Sequence, residues 1–266
     1  MNRKKELCLA FNPDKNLASK KGQVAIFIVV AIVLVATVLL IFLFWKEPNI
    51  DRPSPLSPAT YIDSCVKESA KKAIPILSEN GGSIEPKSSI SYSGQKFAYL
   101  CYNANYYDSC VNQQPMLIEH IEQSVTDYIE PEVKDCFSRL KAELEGKGYE
   151  VSIGQLKIET TLEPNRMVIT SKRKMTISGE EETQNFDEFE TRFTTPLYDL
   201  SEIATEIVNQ EAAYCDFDTL SFMLMHPEYD VRKKVIEDSN LYTLKILETG
   251  EEFKFAVRGC VMPPGI

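Results

Sequence analysis

Val24 to Trp45 is a run of 22 residues without a charged side chain, and Thr37 is its only polar member. Wound as a helix at 1.5 Å per residue, it reaches about 33 Å, enough for a hydrocarbon core of about 30 Å. A helix buried in a globular core would normally show a polar stripe over such a length, and this run has none. Trp45 closes it, with Phe42 and Phe44 nearby, the aromatic placement expected at headgroup level. The run is therefore expected to be a transmembrane helix with membrane lipid as its partner. It exceeds the roughly 7–15 apolar residues of a secretory signal, and no small-residue cleavage site follows, so a retained anchor is favoured over a removed signal.

Flanking charge sets the orientation. Arg3, Lys4, Lys5, Lys15, Lys20 and Lys21 precede the run, and only Lys46 and Arg52 follow it closely. The positive-inside rule then places the N-terminus in the cytoplasm and the C-terminal portion outside the cell membrane. The first 22 residues carry six basic and two acidic side chains, a net of +4, which leaves -14 on the remainder of a chain whose total is -10. An exterior portion that acidic repels anionic headgroups. It also argues against nucleic acid as a partner, because phosphate binding needs surplus Lys and Arg.

Lys20-Lys21-Gly22-Gln23 stands directly before the apolar run. A basic pair, then Gly-Gln, then an unbroken apolar helix resembles the class III signal peptide of archaeal type IV pilins and archaellins. The resemblance covers about residues 15–45. It implies cleavage on the cytoplasmic side between Gly22 and Gln23, retention of the helix on the mature chain, and self-assembly into a surface filament. The sequence departs from the wider pilin pattern at the fifth mature position, where Phe27 stands in place of the Glu often found there.

Four prolines (Pro48, Pro53, Pro55 and Pro58) fall between residues 46 and 58. Such density favours extended polyproline II at about 3.1 Å per residue, a stalk lifting the following domain off the membrane. The organisation read from the sequence is thus a basic leader (1–22), a transmembrane helix (23–45), a Pro-rich stalk (46–58) and an extracytoplasmic domain (59–266). The Gly146-Lys147-Gly148 break is consistent with subdomains at about 59–148 and 149–266.

Of the seven cysteines, Cys8 falls on the cytoplasmic side, and Cys65, Cys101, Cys110, Cys136, Cys215 and Cys260 fall outside. An even number in an oxidising compartment reads as a disulfide framework. No Cys-x-x-Cys occurs, which disfavours zinc and thiol exchange. Six cysteines allow 15 pairings. One set consistent with the elements joins Cys101 to Cys110 in a small loop, Cys65 to Cys136 between two helices, and Cys215 to Cys260 at the C-terminal hairpin.

The exterior domain is expected to be α+β. Helical spacing covers Ala59–Glu79, Pro115–Ile129 and Pro196–Tyr214, and Pro131 is expected to open a further helix through Leu144. Ile90–Tyr102 reads as one strand, Tyr149–Phe193 as a β region turning at Ser178-Gly179-Glu180, and Leu241–Leu247 with Glu252–Val257 as a terminal hairpin. If that turn centres the β region, Lys172, Arg173 and Lys174 lie near Asp187, Glu188 and Glu190. Glu180-Glu181-Glu182 reads as a solvated tip rather than a cation site.

Chemistry is sparse. His120 and His226 lie on different elements, His120 reads as a surface imidazole between Glu119 and Glu122, and no Gly-x-Ser-x-Gly or His-Glu-x-x-His motif occurs. Catalytic, cofactor and metal residues are all read as none, and the protein as not an enzyme. The sharpest binding feature is Tyr99, Tyr102, Asn103, Asn105, Tyr106 and Tyr107, because Tyr and Asn together suit adaptable recognition surfaces. The function expected is a membrane-anchored cell-surface protein with a structural or binding role toward other surface proteins. The alternatives are the pilin-like subunit and a membrane-anchored extracytoplasmic enzyme, which would require a concave pocket with convergent polar groups.

Overall fold

A computed structural model of the chain describes residues 28–38, 57–180 and 182–263. The chain divides into two compact units, Met1–Pro55 and Leu56–Ile266. In the first, residues 28–38 form helix α1. Its valine, isoleucine and leucine side chains are 50% to 62% exposed. Thr37 Oγ1 donates back to the carbonyls of Val33 and Leu34, both at 2.9 Å, so the one polar side chain of the apolar run is satisfied within its own helix. Among the described residues no helix is long and apolar enough to cross a membrane. The remainder of the Val24–Trp45 span, the 1–22 leader with the Gly22-Gln23 junction, and the stalk up to residue 56 lie outside the described residues.

The second unit is α+β, as expected. In chain order it runs α2 (Pro58–Glu79), β1 (Ser89–Tyr92), β2 (Gln95–Tyr102), β3 (Val111–Asn112), α3 (Leu117–Gly146), β4 (Glu150–Ile153), β5 (Lys157–Glu163), β6 (Arg166–Ser178), β7 (Thr183–Thr194), α4 (Leu197–Tyr214), α5 (Thr219–Met225), β8 (Tyr229–Ile236), β9 (Ser239–Ile246) and β10 (Glu252–Arg258). One sheet has the order β1-β2-β10-β9-β8, with β3 also on β2. Its β2–β10 pair is parallel and its other pairs are antiparallel. The second sheet is antiparallel and centres on the long β6, which pairs β7 on one side and β5 and then β4 on the other.

The helices cover one face of each sheet. α2 and α3 pack on each other, with α3 against β5 and α2 against β7, while α4 lies on β10. Ile62, Val66, Ala70, Ala73 and Leu77 of α2 recur at helical spacing and are all buried, as an amphipathic helix on a sheet requires. They join Ile121, Ile129 and Phe137 of α3, Met167 and Ile169 of β6, and Phe253 and Phe255 of β10 in one continuous core.

All six cysteines downstream of the apolar run pair. Cys65–Cys136 joins α2 to α3, Cys101–Cys110 closes a short loop after β2, and Cys215–Cys260 ties the end of α4 to the chain beyond β10, with Cα separations of 6.5, 5.3 and 5.8 Å. The Lys172–Glu188 juxtaposition is also present as a register pair, but Arg173 and Lys174 fall in a bulge between Lys172 and Met175. That bulge is where β6 changes partners: Gly154 N donates to the Lys174 carbonyl at 2.8 Å and Arg173 Nε to the Gly154 carbonyl at 2.9 Å.

Three elements differ from expectation. Pro131 does not start a helix; α3 runs through it. The proline forfeits one backbone bond, but Ile129 and Val133 on either side are fully buried and hold a common face to the core. Residues 90–102 form a hairpin rather than one strand, because Ser93 and Gly94 take φ of 50° and 80°, the left-handed pair a two-residue turn needs. The edge strand β8 has no counterpart among the elements expected from sequence; a turn at Glu237, with φ of 52°, joins it to β9.

Candidate functional site

Two places among the described residues bear most on function: a disulfide-closed loop rich in Tyr and Asn, and a polar cleft against α3. The first is the loop between β2 and β3, which carries most of the tyrosine and asparagine residues singled out above. The Cys101–Cys110 bridge closes it at its base. Three backbone bonds then lay it along the chain after β10: Asn103 N to the Arg258 carbonyl at 2.8 Å, Tyr107 N to the Val261 carbonyl at 2.8 Å, and Cys260 N to the Asp108 carbonyl at 2.6 Å. Gly259 permits the approach, since a Cβ there would lie 2.7 Å from Cys110 N. Inside the loop, Asn103 Oδ1 accepts from Asn105 N at 3.0 Å, Asn103 Nδ2 donates to the Ser109 carbonyl at 2.8 Å, and Asn105 Nδ2 donates to Asp108 at 3.1 Å.

The tyrosines divide into two groups. Tyr99 and Tyr102 are half-buried on β2, edge to face with ring centroids 5.0 Å apart. Tyr99 shares a hydrogen bond of 2.9 Å with Ser239, and burial pushes its phenol pKa up. Arg258 lies over the Tyr102 ring at 5.6 Å, donates to the Asn103 carbonyl, and pairs with Asp238 at 2.7 Å. Tyr106 and Tyr107 face solvent at 45% and 62% exposure. Tyr107 has φ of 66°, a left-handed conformation uncommon for a bulky residue and therefore held by its surroundings. The structure thus gathers Asn103, Asn105, Tyr106 and Tyr107 on one braced loop, sets Tyr102 beside it at the end of β2, and turns the Tyr99 hydroxyl away toward β9.

The second place is a cleft of about 670 Å³ between α3, the edge of β2 and the connection from α2 to β1. Gly81 and Gly82, with φ of 59° and 85°, turn the chain at the end of α2. Gly82 packs so closely on α3 that a Cβ would meet Ile121 at 2.8 Å. This delivers Ser83 Oγ to within 2.9 Å of His120 Nε2. His120 is therefore half-buried rather than a surface imidazole, and burial, with Lys87 nearby, holds its pKa below the usual histidine value. Sequence reasoning missed this cleft. The signal was present: His120, Ser124, Asp127 and Tyr128 recur at helical spacing, which places them on one face of α3.

His120 meets Ser83 and no carboxylate among the described residues, so the cleft has the base and hydroxyl of a nucleophilic pair without the group that would orient the ring. His226 lies elsewhere, tilted against the Phe222 ring with centroids 4.7 Å apart and 3.7 Å from Glu228. Among the described residues no three His, Cys, Asp or Glu side chains gather to hold a metal ion. Comparison of the chain with protein-family models, with curated proteins and with solved structures finds no match.

Proposed function

We propose that this chain is a single-pass, membrane-anchored protein with its N-terminus in the cytoplasm and a disulfide-stapled exterior domain that binds other surface proteins through the Cys101–Cys110 loop. The observation that carries the reading is the closure of all six cysteines downstream of the apolar run into three bridges. Such bridges persist in oxidising compartments, and the charge-free Val24–Trp45 run supplies the means to stay attached to a membrane facing one. The binding role rests on Tyr106 and Tyr107. Exposed aromatic side chains on a pre-braced loop offer contact area with little ordering cost on association.

The test is labelling of intact host cells with a membrane-impermeant amine reagent, followed by peptide mapping. Lysines from Lys67 onward are expected to carry label and Lys15, Lys20 and Lys21 none. Label on the leader with none on the domain contradicts the orientation.

A second reading is favoured by the Lys20-Lys21-Gly22-Gln23 junction. Here a prepilin-type peptidase cuts after Gly22, and the apolar helix packs against copies of itself in a filament. A mature chain beginning at Gln23 and filaments bearing the domain are the expected observations; an intact Met1 removes this reading.

A further inference from the structure

We propose that the cleft between α3 and β2 is a binding site for a short neutral saccharide. Its volume of about 670 Å³ is that of an ordinary small-ligand site. The chemistry of its walls disfavours several other ligand classes. Lys87 is its only cation and stands with Glu85 and Asp127, so a phosphorylated or polyanionic ligand finds no net positive field. Polar side chains outnumber the apolar ones of Ile84, Pro86, Ala98 and Leu100, which disfavours an acyl chain. A peptide added to the β2 edge has no open rung, because Tyr99 N already donates to the Ser88 carbonyl at 3.0 Å and the Leu100 carbonyl accepts from Gln113 N at 2.7 Å.

The walls suit instead a ligand rich in hydroxyls and without net charge. Asp127 uses one oxygen on Gln123, at 2.7 Å, and keeps the other for a sugar hydroxyl. The Gln114 side-chain amide and the Ser124 hydroxyl line the cleft and have no hydrogen-bond partner among the described residues, while the Gln114 backbone N–H is held by Asn112 Oδ1 at 2.8 Å. A carboxylate, an amide and a hydroxyl together supply both donors and acceptors, as vicinal hydroxyls require. Tyr128, half-buried beside Asp127, offers an aromatic ring to the apolar face of a pyranose. The Ser83–His120 pair braces the connection that forms the opposite wall. This assignment is independent of the tyrosine loop and of the membrane anchor.

The experiment is calorimetric titration of the full chain, held in lipid nanodiscs, with cellotriose, maltotriose, mannotriose and chitotriose. At least one is expected to bind with a Kd of about 0.1–5 mM. Asp127→Ala and Gln114→Ala, each at a solvent-reached position, are expected to weaken it by about tenfold without lowering the melting temperature, and Tyr107→Ala to leave it unchanged. Absence of binding by all four sugars overturns the proposal, as does binding that survives both cleft variants. Covalent labelling of Ser83 by a fluorophosphonate also overturns it, in favour of a nucleophilic site.

Discussion

The hydroxyl of Tyr242, fully buried on β9, donates a hydrogen bond to the carboxylate of Glu211 in the last turn of α4. The same carboxylate accepts from Lys233 Nζ at 2.9 Å and Asn240 Nδ2 at 3.2 Å, and Lys233 reaches on to Asp216 at 2.6 Å. A carboxylate this deep is tolerated because three donors replace its water. Beside it, the Cys215–Cys260 bridge anchors the same helix end.

Removing the acid strands its donors. Glu211→Ala is expected to destabilise the domain by about 3–5 kcal/mol, the range for breaking a buried ion pair, and Tyr242→Phe by about 1–2 kcal/mol. Urea unfolding of each variant measures both. A loss under about 1 kcal/mol for Glu211→Ala would show that the network is solvated instead.

The three bridges differ in the chain they enclose. Their sequence separations are 71, 45 and 9 residues. In the chain-entropy treatment the first two contribute about 4 kcal/mol each and the third about 3 kcal/mol. Paired Cys→Ser variants are expected to lower the melting temperature in that order, Cys65/Cys136 most and Cys101/Cys110 least.

Tyr107 separates stability from recognition. Its left-handed φ of 66° costs a non-glycine residue of order 1 kcal/mol. Tyr107→Gly is expected to leave stability unchanged or raise it by up to about 1 kcal/mol and, on the binding role proposed above, to abolish capture of a surface protein. A variant that unfolds the loop, read by loss of amide protection at Asn103 and Cys260, contradicts this.

On the open face of the second sheet, hydrogen bonds from Lys157, at 2.7 Å, and Lys172, at 2.5 Å, hold the Glu159 carboxyl at about 2. The folded pKa lies below the unfolded one, so this carboxylate favours the fold above about pH 4.5 and the contribution is lost as pH falls toward about 2. Carboxyl-carbon NMR is expected to find the depressed titration, and Lys157→Ala to move it back toward the ordinary glutamate value.

Local pattern made much of the architecture legible. The helical spacing of Ile62 through Leu77 and the turn near Gly179 depend on neighbours in sequence, the even set of six cysteines on a count alone, and each is present in the fold. What escaped depends on tertiary context. Pro131 reads as a helix start, yet continuous burial of Ile129 and Val133 carries α3 past it. β8 alternates weakly, because Arg232 and Lys234 lie on an exposed edge strand, which tolerates charge. The cleft was hidden because its two walls are Ser83 and His120, 37 residues apart, and nothing in the sequence brings them together except the close approach of Gly82 to Ile121. The tyrosine loop was visible as a cluster, but its support from Arg258 and Val261 comes from the far end of the chain.

Residence in a membrane and oxidation of the six downstream thiols are the two properties on which the proposed function rests. The decisive measurement is the intact mass of the native protein from carbonate-washed host membranes, alkylated without prior reduction. The chain is predicted to remain in the membrane pellet and to take up at most one alkyl group, on Cys8. Recovery in the aqueous fraction with all seven cysteines alkylated would contradict it.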